Sequence, residues 1–187
     1  TAALILTTVV WTPPAIAESD VIEENITIIY FAEPSDYFHR GRLNYLYNYT
    51  DAAGDNIRRG ARSVVNEAEA AEGDIRKALL ESYGELNDLA SSIENGDYVT
   101  VIDLNYAFSR ALMNLSRQEV VIAEGAWKED NYSDTGAALL VAANNLRHAY
   151  GWVQIKLGKD DFNALSDVRK TANTLQDGNK ADAKSAF

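Results

Sequence analysis

Only two imidazoles, His39 and His148, and no cysteine occur in the 187 residues of this chain. That inventory removes a thiolate nucleophile, a disulfide and a thiolate-held metal at once. A carboxylate-bound metal pair in a helical bundle needs Glu-x-x-His sets on facing helices, but Asp36 and Asn145 stand three residues before the two histidines. A Cys-x-x-Cys-His haem motif, a Gly-x-Ser-x-Gly nucleophile elbow, a Walker loop and a dinucleotide fingerprint are also missing from the sequence. No complete catalytic set can be assembled, so the expectation is a non-enzymatic protein with no metal and no cofactor. What remains is the gathering of Asn145, His148 and Trp152, which helical spacing brings to one face. An amide, an imidazole and an indole on an otherwise apolar helix are the kind of polar handles a small-ligand pocket uses. The same three residues would serve equally as hydrogen-bonded core or rim positions of a buried helix.

Trp127 joins them as a ligand-binding candidate from the preceding helix. On that helix Arg110 and Arg117 interleave with Tyr106, Met113, Val120 and Trp127 at heptad spacing. The stripe could face an anion or an aromatic ligand, although arginines in so acidic a chain are expected to pair with its carboxylates. Glu119 and Glu124 read as solvated charge. Tyr45 and Tyr49 share a face before a turn and are expected to pack. Asn-x-Ser/Thr sequons occur at Asn25, Asn48, Asn114 and Asn131; two of them sit at turns, where helix capping already explains the residue types.

The elements that must position these residues are helices. From Asp51 onward apolar residues step by three and four: Ile57, Ala61, Val64 and Ala68, then Ile75, Leu79, Tyr83, Leu86, Ala90 and Ile93. Thr50 is the expected N-cap of the first of these helices and Gly73 its stop, while Asn95-Gly96 ends the second. Leu104, Phe108, Ala111, Leu115, Ile122 and Ala126 line a fourth helix from about Val101 to Lys128. Helix five, with Ser133 as its expected cap and Gly158 as its stop, carries two apolar stripes, Leu139, Ala142, Leu146, Tyr150, Val153 and Leu157 beside Ala138, Val141, Asn145, His148, Trp152 and Ile155. A helix apolar on nearly all sides belongs between neighbours, so helix five is expected at the centre of the bundle. Helix six follows from about Asp160 with Phe162, Leu165, Val168, Ala172 and Leu175 as its seam. At the other end Pro34 forbids an unbroken first helix, and residues 22–34, rich in β-branched side chains, read as helix or strand.

Two echoes join the halves: Asn48-Tyr49-Thr50-Asp51 recurs as Asn131-Tyr132-Ser133-Asp134, and residues 90–96 recur loosely as 172–178. The expected fold is therefore all-α, an antiparallel helical bundle built from two similar three-helix units at residues 18–97 and 98–178. Around residues 123–146 the run Ala123-Glu124-Gly125-Ala126-Trp127 up to Asn131-Tyr132, followed by Ala142, Ala143 and Leu146, resembles tetratricopeptide-type hairpins. In that family a bulky residue closes one helix, and small residues let the next approach. The helices are too long and the period too great for the standard repeat, so its concave peptide groove does not carry over. A looser likeness is to exported YfdX-type bacterial proteins.

The net charge of −11 and isoelectric point near 4.6 argue against nucleic acid or an anionic membrane as partner. Residues 2–11 form an apolar run of signal-peptide length, and Pro13-Pro14 and the small-residue pattern Ala15-Ile16-Ala17 follow. Residues 1–17 are therefore expected to be a secretory signal truncated at its start, the mature protein to be periplasmic or secreted without a membrane span, and residues 179–187 to be a disordered tail. The expected role is an exported helical repeat domain that acts by protein binding or scaffolding. The alternative is a small-molecule carrier or sensor with an apolar pocket beside helix five. The sequence leaves the oligomeric state open.

Overall fold

A computed structural model of the protein describes residues 34–176, and the expectations for the signal, for residues 22–33, for the Asn25 sequon and for the tail lie outside them. The described residues form six helices and no strand: α1 (Pro34–Leu46), α2 (Thr50–Ala70), α3 (Gly73–Glu94), α4 (Val101–Lys128), α5 (Tyr132–Trp152) and α6 (Lys159–Gln176). The all-α expectation holds. Tight turns make successive helices antiparallel neighbours, and α2 and α5 each pack along the helix before and the helix after them.

The core follows the periodic stripes. Ile57, Ala61, Val64 and Ala68 of α2, Leu79, Leu86, Ala90 and Ile93 of α3, and Leu104, Phe108, Ala111 and Leu115 of α4 are all buried. At 25 cal/mol per Å² of apolar surface, burying one such Leu, Ile or Phe contributes about 1.5–3 kcal/mol. The helix at the centre of the packing is α4, not α5. It touches α1, α2, α3 and α5 and buries the largest number of side chains, whereas only Ala149 and Trp152 of α5 enter the main core. Helix five is packed on two sides, by α4 and α6, but Val141 faces solvent and the helix stops at Trp152 because Gln154 takes a positive φ of 55°. Val153, Ile155 and Leu157 therefore lie past its end. Ile122, Phe162 and Val168 are exposed as well, so the α4 and α6 seams are shorter than their periodicity suggests.

Backbone geometry decides where helices begin. Asn48, Gly96 and Asp130 have φ of 62°, 78° and 57°, and after each the next amide reaches back five residues: Tyr49 N to Asn44 O at 2.8 Å, Asp97 N to Ser92 O at 2.9 Å and Asn131 N to Ala126 O at 2.9 Å. This left-handed residue with a six-to-one bond is the Schellman stop, for which Gly, Asn and Asp carry the smallest steric cost. The N-caps are accordingly Tyr49, whose side chain makes no capping bond, and Asn131, whose side chain accepts from Asp134 N. Thr50 and Ser133 are already helical. Thr100, whose hydroxyl accepts from Asp103 N while Asp103 accepts from the Thr100 amide, forms a full capping box on α4.

Several helix bounds recur at one spacing: α1 and α4 end 82 residues apart, and α2 and α5 begin and end 82 apart. The tetrapeptide echo at Asn48 and Asn131 is out of step with this by one residue, because Asn48 is the left-handed stop and Asn131 the following cap. Close approaches recur too. A methyl group at Gly54 would strike the Glu94 side chain, and one at Gly136 would lie 3.0 Å from the Gln176 amide nitrogen. Both glycines let the third helix of their set press on the start of the second.

Candidate functional site

Four rings tie α1, α4 and α5 together. Phe38 of α1 stacks on Phe108 of α4 with centroids 4.6 Å apart and planes 7° apart, Trp152 meets Phe108 edge-on at 5.0 Å, and His39 lies over Trp152 at 4.3 Å. Phe38 and Phe108 are fully buried. Offset or edge-on aromatic pairs add about 0.5–1.5 kcal/mol beyond the area they bury. The cluster therefore fixes which side of α1 faces the end of α5, and His39 and Arg42, one and four residues after Phe38, fall on the flank beside it.

Against this cluster lies a cavity of about 280 Å³ lined by His39, Arg42, Asn105, Arg147, His148, Gly151, Trp152 and Gln154. Both histidines of the chain and two arginines converge there, and among the described residues no carboxylate lines it. Neither arginine has an ion-pair partner among the described residues. In a chain with 28 acidic and 17 basic residues, a pocket to which the described residues contribute bases and no acid runs against composition. The negative end of the α5 dipole, worth about half a charge, points the same way and partly offsets the arginines. Two guanidinium charges outweigh it.

The cavity wall also holds polar atoms with nothing to bond. Among the described residues five buried side-chain atoms lack a hydrogen-bond partner, and three of them, Arg42 Nε, Asn105 Oδ1 and Trp152 Nε1, belong to residues lining this cavity. Each such orphan costs about 1–3 kcal/mol of desolvation. Arg42 and Trp152 can only donate, and the Asn105 amide can present its NH₂ when turned about its last torsion. A donor-rich pocket is chemistry for an anion's oxygens.

The structure brings together two of the four residues expected at a site. His148 and Trp152 line the cavity, whereas Asn145 is buried two turns before Trp152 and does not line it. Trp127 is elsewhere: it sits edge-on to Tyr132 at 5.2 Å, in a separate groove of about 480 Å³ with Val120, Ala123, Glu124, Lys128, Thr135 and Leu139. His148 and Trp152 thus line a basic cavity at the end of helix five, and Trp127 lines a more apolar groove beside the start of that helix. Sequence reasoning missed His39, Arg42, Asn105 and Arg147 as a group, because only tertiary packing brings α1 to the end of α5. The adjacent pair Arg147-His148 near a helix end was the available signal.

The remaining candidates resolve individually. Arg110 pairs with Glu85 at 3.1 Å, as charge balance suggests. Glu119 does not partner Glu124. It is half-buried against α2, and its carboxyl is pushed up to about 7 by burial and by the neighbouring Glu67, itself raised by burial. Tyr45 packs and donates from its hydroxyl to Val99 O, but Tyr47 and Tyr49 are exposed. Of the sequons, Asn114 is buried and donates to Ser82 Oγ at 3.0 Å and Ala78 O at 3.2 Å, and Asn131 is used as a cap. Among the described residues no group of His, Cys, Asp and Glu could hold a metal ion, and no helix is long and apolar enough to cross a membrane. Comparison with known protein families, curated proteins and solved structures finds no match to this chain.

Proposed function

We propose that the protein is an exported, non-enzymatic helical repeat domain that binds a small anion, carboxylate or phosphate in kind, between α1, α4 and α5. One observation carries the reading: Arg42, Arg147, His39 and His148 meet in a cavity that no carboxylate of the described residues lines, in a chain of net charge −11. The unpartnered Arg42 Nε and Trp152 Nε1 support it, since a buried donor is stabilised once an anion accepts from it. Export rests on the apolar run and the Ala15-Ile16-Ala17 pattern. The spacing of 82 residues between the ends of α1 and α4 and between both bounds of α2 and α5 supports a duplicated three-helix unit as the frame. A cavity of about 280 Å³ suits a compact anion with a few waters rather than a polymer.

Thermal unfolding with inorganic phosphate, sulfate, acetate and succinate tests the reading. At a ligand concentration of 100 times Kd, stability rises by about 2.7 kcal/mol, and Arg42→Gln with Arg147→Gln removes that rise. An equal rise in the double variant, or no rise with any of the four, overturns it.

Protein binding is the second reading. Tyr106, Met113 and Val120 are spaced by seven on α4, and all three are exposed. Such an apolar stripe on a helix is what a partner helix covers. A pull-down that is lost with Tyr106→Asp but kept with Arg147→Gln would favour it.

A further inference from the structure

Arg147 lines a second space besides the basic cavity. Between α5 and α6 lies a cavity of about 450 Å³ whose walls include Arg147, Leu157, Phe162, Leu165, Arg169 and Lys170. Residues 153–158 join the two helices and bring the start of α6 beside the end of α5. Among the described residues Arg147 is the one side chain common to both spaces. It is exposed, and a long exposed side chain is no fixed wall between them.

The two spaces differ in character. The basic cavity offers charge and donors, whereas Leu157, Phe162 and Leu165 give the second an apolar wall. Phe162 and Leu165 stand one turn apart on the same side of α6. Folding leaves this wall in water: Phe162 is 64 % exposed, and the side chains that α6 buries are Ala172 and Leu175. Arg169 and Lys170 follow about one turn further on, and neither has an ion-pair partner among the described residues. No carboxylate of the described residues lines this space either. The two cations add to the field that draws an anion, and their methylene stems extend the apolar wall. An apolar wall that runs up to a basic end is the layout of a site for an amphiphilic anion.

We propose that the ligand of the basic cavity is a soluble carboxylate with an apolar tail, its carboxylate held by Arg42 and Arg147 and its tail laid along Leu157, Phe162 and Leu165. The assignment rests on the anion-binding reading above and narrows it from small anions in general to one class. The head group occupies the basic cavity, and the tail leaves it past Arg147. A net charge of −11 repels an anionic membrane surface, so the carboxylate belongs to a free molecule rather than to a lipid headgroup.

Calorimetric titration of the full chain with acetate, octanoate, octanol and inorganic phosphate tests this. Each methylene taken out of water strengthens binding about fourfold, so octanoate should bind at least about tenfold tighter than acetate. Octanol, which has the tail without the charge, should bind at least about tenfold more weakly than octanoate. Phe162→Ser, a change at an exposed position, should bring the octanoate-to-acetate ratio down to within about threefold. An undiminished ratio in that variant, or octanol binding as tightly as octanoate, overturns the inference. So does capture of the protein by phosphatidylglycerol vesicles without a response to free octanoate, since the occupant is then a membrane. Phosphate separates this inference from the reading beneath it. If phosphate binds and octanoate binds no tighter than acetate, only the inference falls; if none of the anions binds, both fall.

Discussion

Counted 82 residues apart, the cavity residues of α1 and α5 face counterparts of a different kind in α4 and α2. His39 and Arg42 stand opposite Val121 and Glu124, and Arg147, His148 and Trp152 stand opposite Val65, Asn66 and Ala70. Every basic or aromatic side chain contributed to the cavity by α1 and α5 thus has an apolar, acidic or uncharged polar counterpart. The positions that set the frame behave in the opposite way. Gly54 and Gly136, Ala90 and Ala172, and Ile93 and Leu175 match in size and in burial or close approach. Backbone contacts tolerate little variation in a close-packed interior, whereas a surface cavity is free to change. The pocket therefore belongs to the frame's variable part, made where the start of one half meets the end of the next helix pair.

The largest expected contrast lies at Phe38 and Val120. Phe38→Ala empties a fully buried site between Gly60 and Phe108 and should cost about 3–5 kcal/mol, while Val120→Ala at the exposed counterpart should stay within about 0.5 kcal/mol. Urea unfolding of both variants measures it; equal losses would mean that the two positions are equally packed.

Next come the glycines. A methyl group at Gly136 meets the Ala172 carbonyl and the Gln176 backbone, which cannot swing away, so Gly136→Ala should cost about 1–3 kcal/mol. At Gly54 the obstacle is the Glu94 side chain, half-exposed and paired with Arg58. A side chain can move, and the gain in helix propensity of up to about 1 kcal/mol offsets the loss, so Gly54→Ala should be near neutral in the same assay.

Caps give a smaller difference. Asn131→Ala removes a side-chain cap and should lower stability by about 1 kcal/mol, whereas Thr50→Ala, inside its helix, should change it by less than about 0.5 kcal/mol. The reverse ranking would restore Thr50 as the cap.

The smallest expected effect is electrostatic. Burial first, and Glu67 second, hold the Glu119 carboxyl up at about 7, so the folded protein keeps a proton that the unfolded chain has released. That stabilisation is complete below the ordinary carboxylate value of 4.5 and is lost as pH rises through about 7. Glu119→Gln should therefore flatten the loss of thermal stability toward pH 8, by about 1 kcal/mol once screening of a partly exposed group is allowed for. Parallel pH profiles for the two proteins would remove Glu119 from the account.

The helices were legible in the sequence because Ile57 to Ala68 and Leu79 to Ile93 repeat at the period that buries one face. Their ends were less so. Thr50, Ser133 and Gly158 have the composition of caps and stops, but the left-handed turns at Asn48 and Asp130 and the positive φ of Gln154 set the boundaries instead. The centre of the bundle was misread for a related reason. Helix five is apolar on nearly all sides, yet its small Ala138, Ala142, Ala143 and Ala149 serve close approach to α4 and α6, while the longer α4 carries the larger side chains into the core. His148 and Trp152 could be named from helical spacing, but Arg42 and His39 join them only through the Phe38–Phe108–Trp152 contacts, which no local pattern encodes.

The most direct test follows the indole N–H of Trp152, the buried unpartnered donor in the cavity wall. On titration of the full chain with inorganic phosphate, its NMR signal should shift and saturate while that of Trp127 stays fixed, and Arg42→Gln with Arg147→Gln should abolish the shift. A Trp152 signal that does not move with phosphate, or that moves equally in the double variant, would contradict the anion-binding reading.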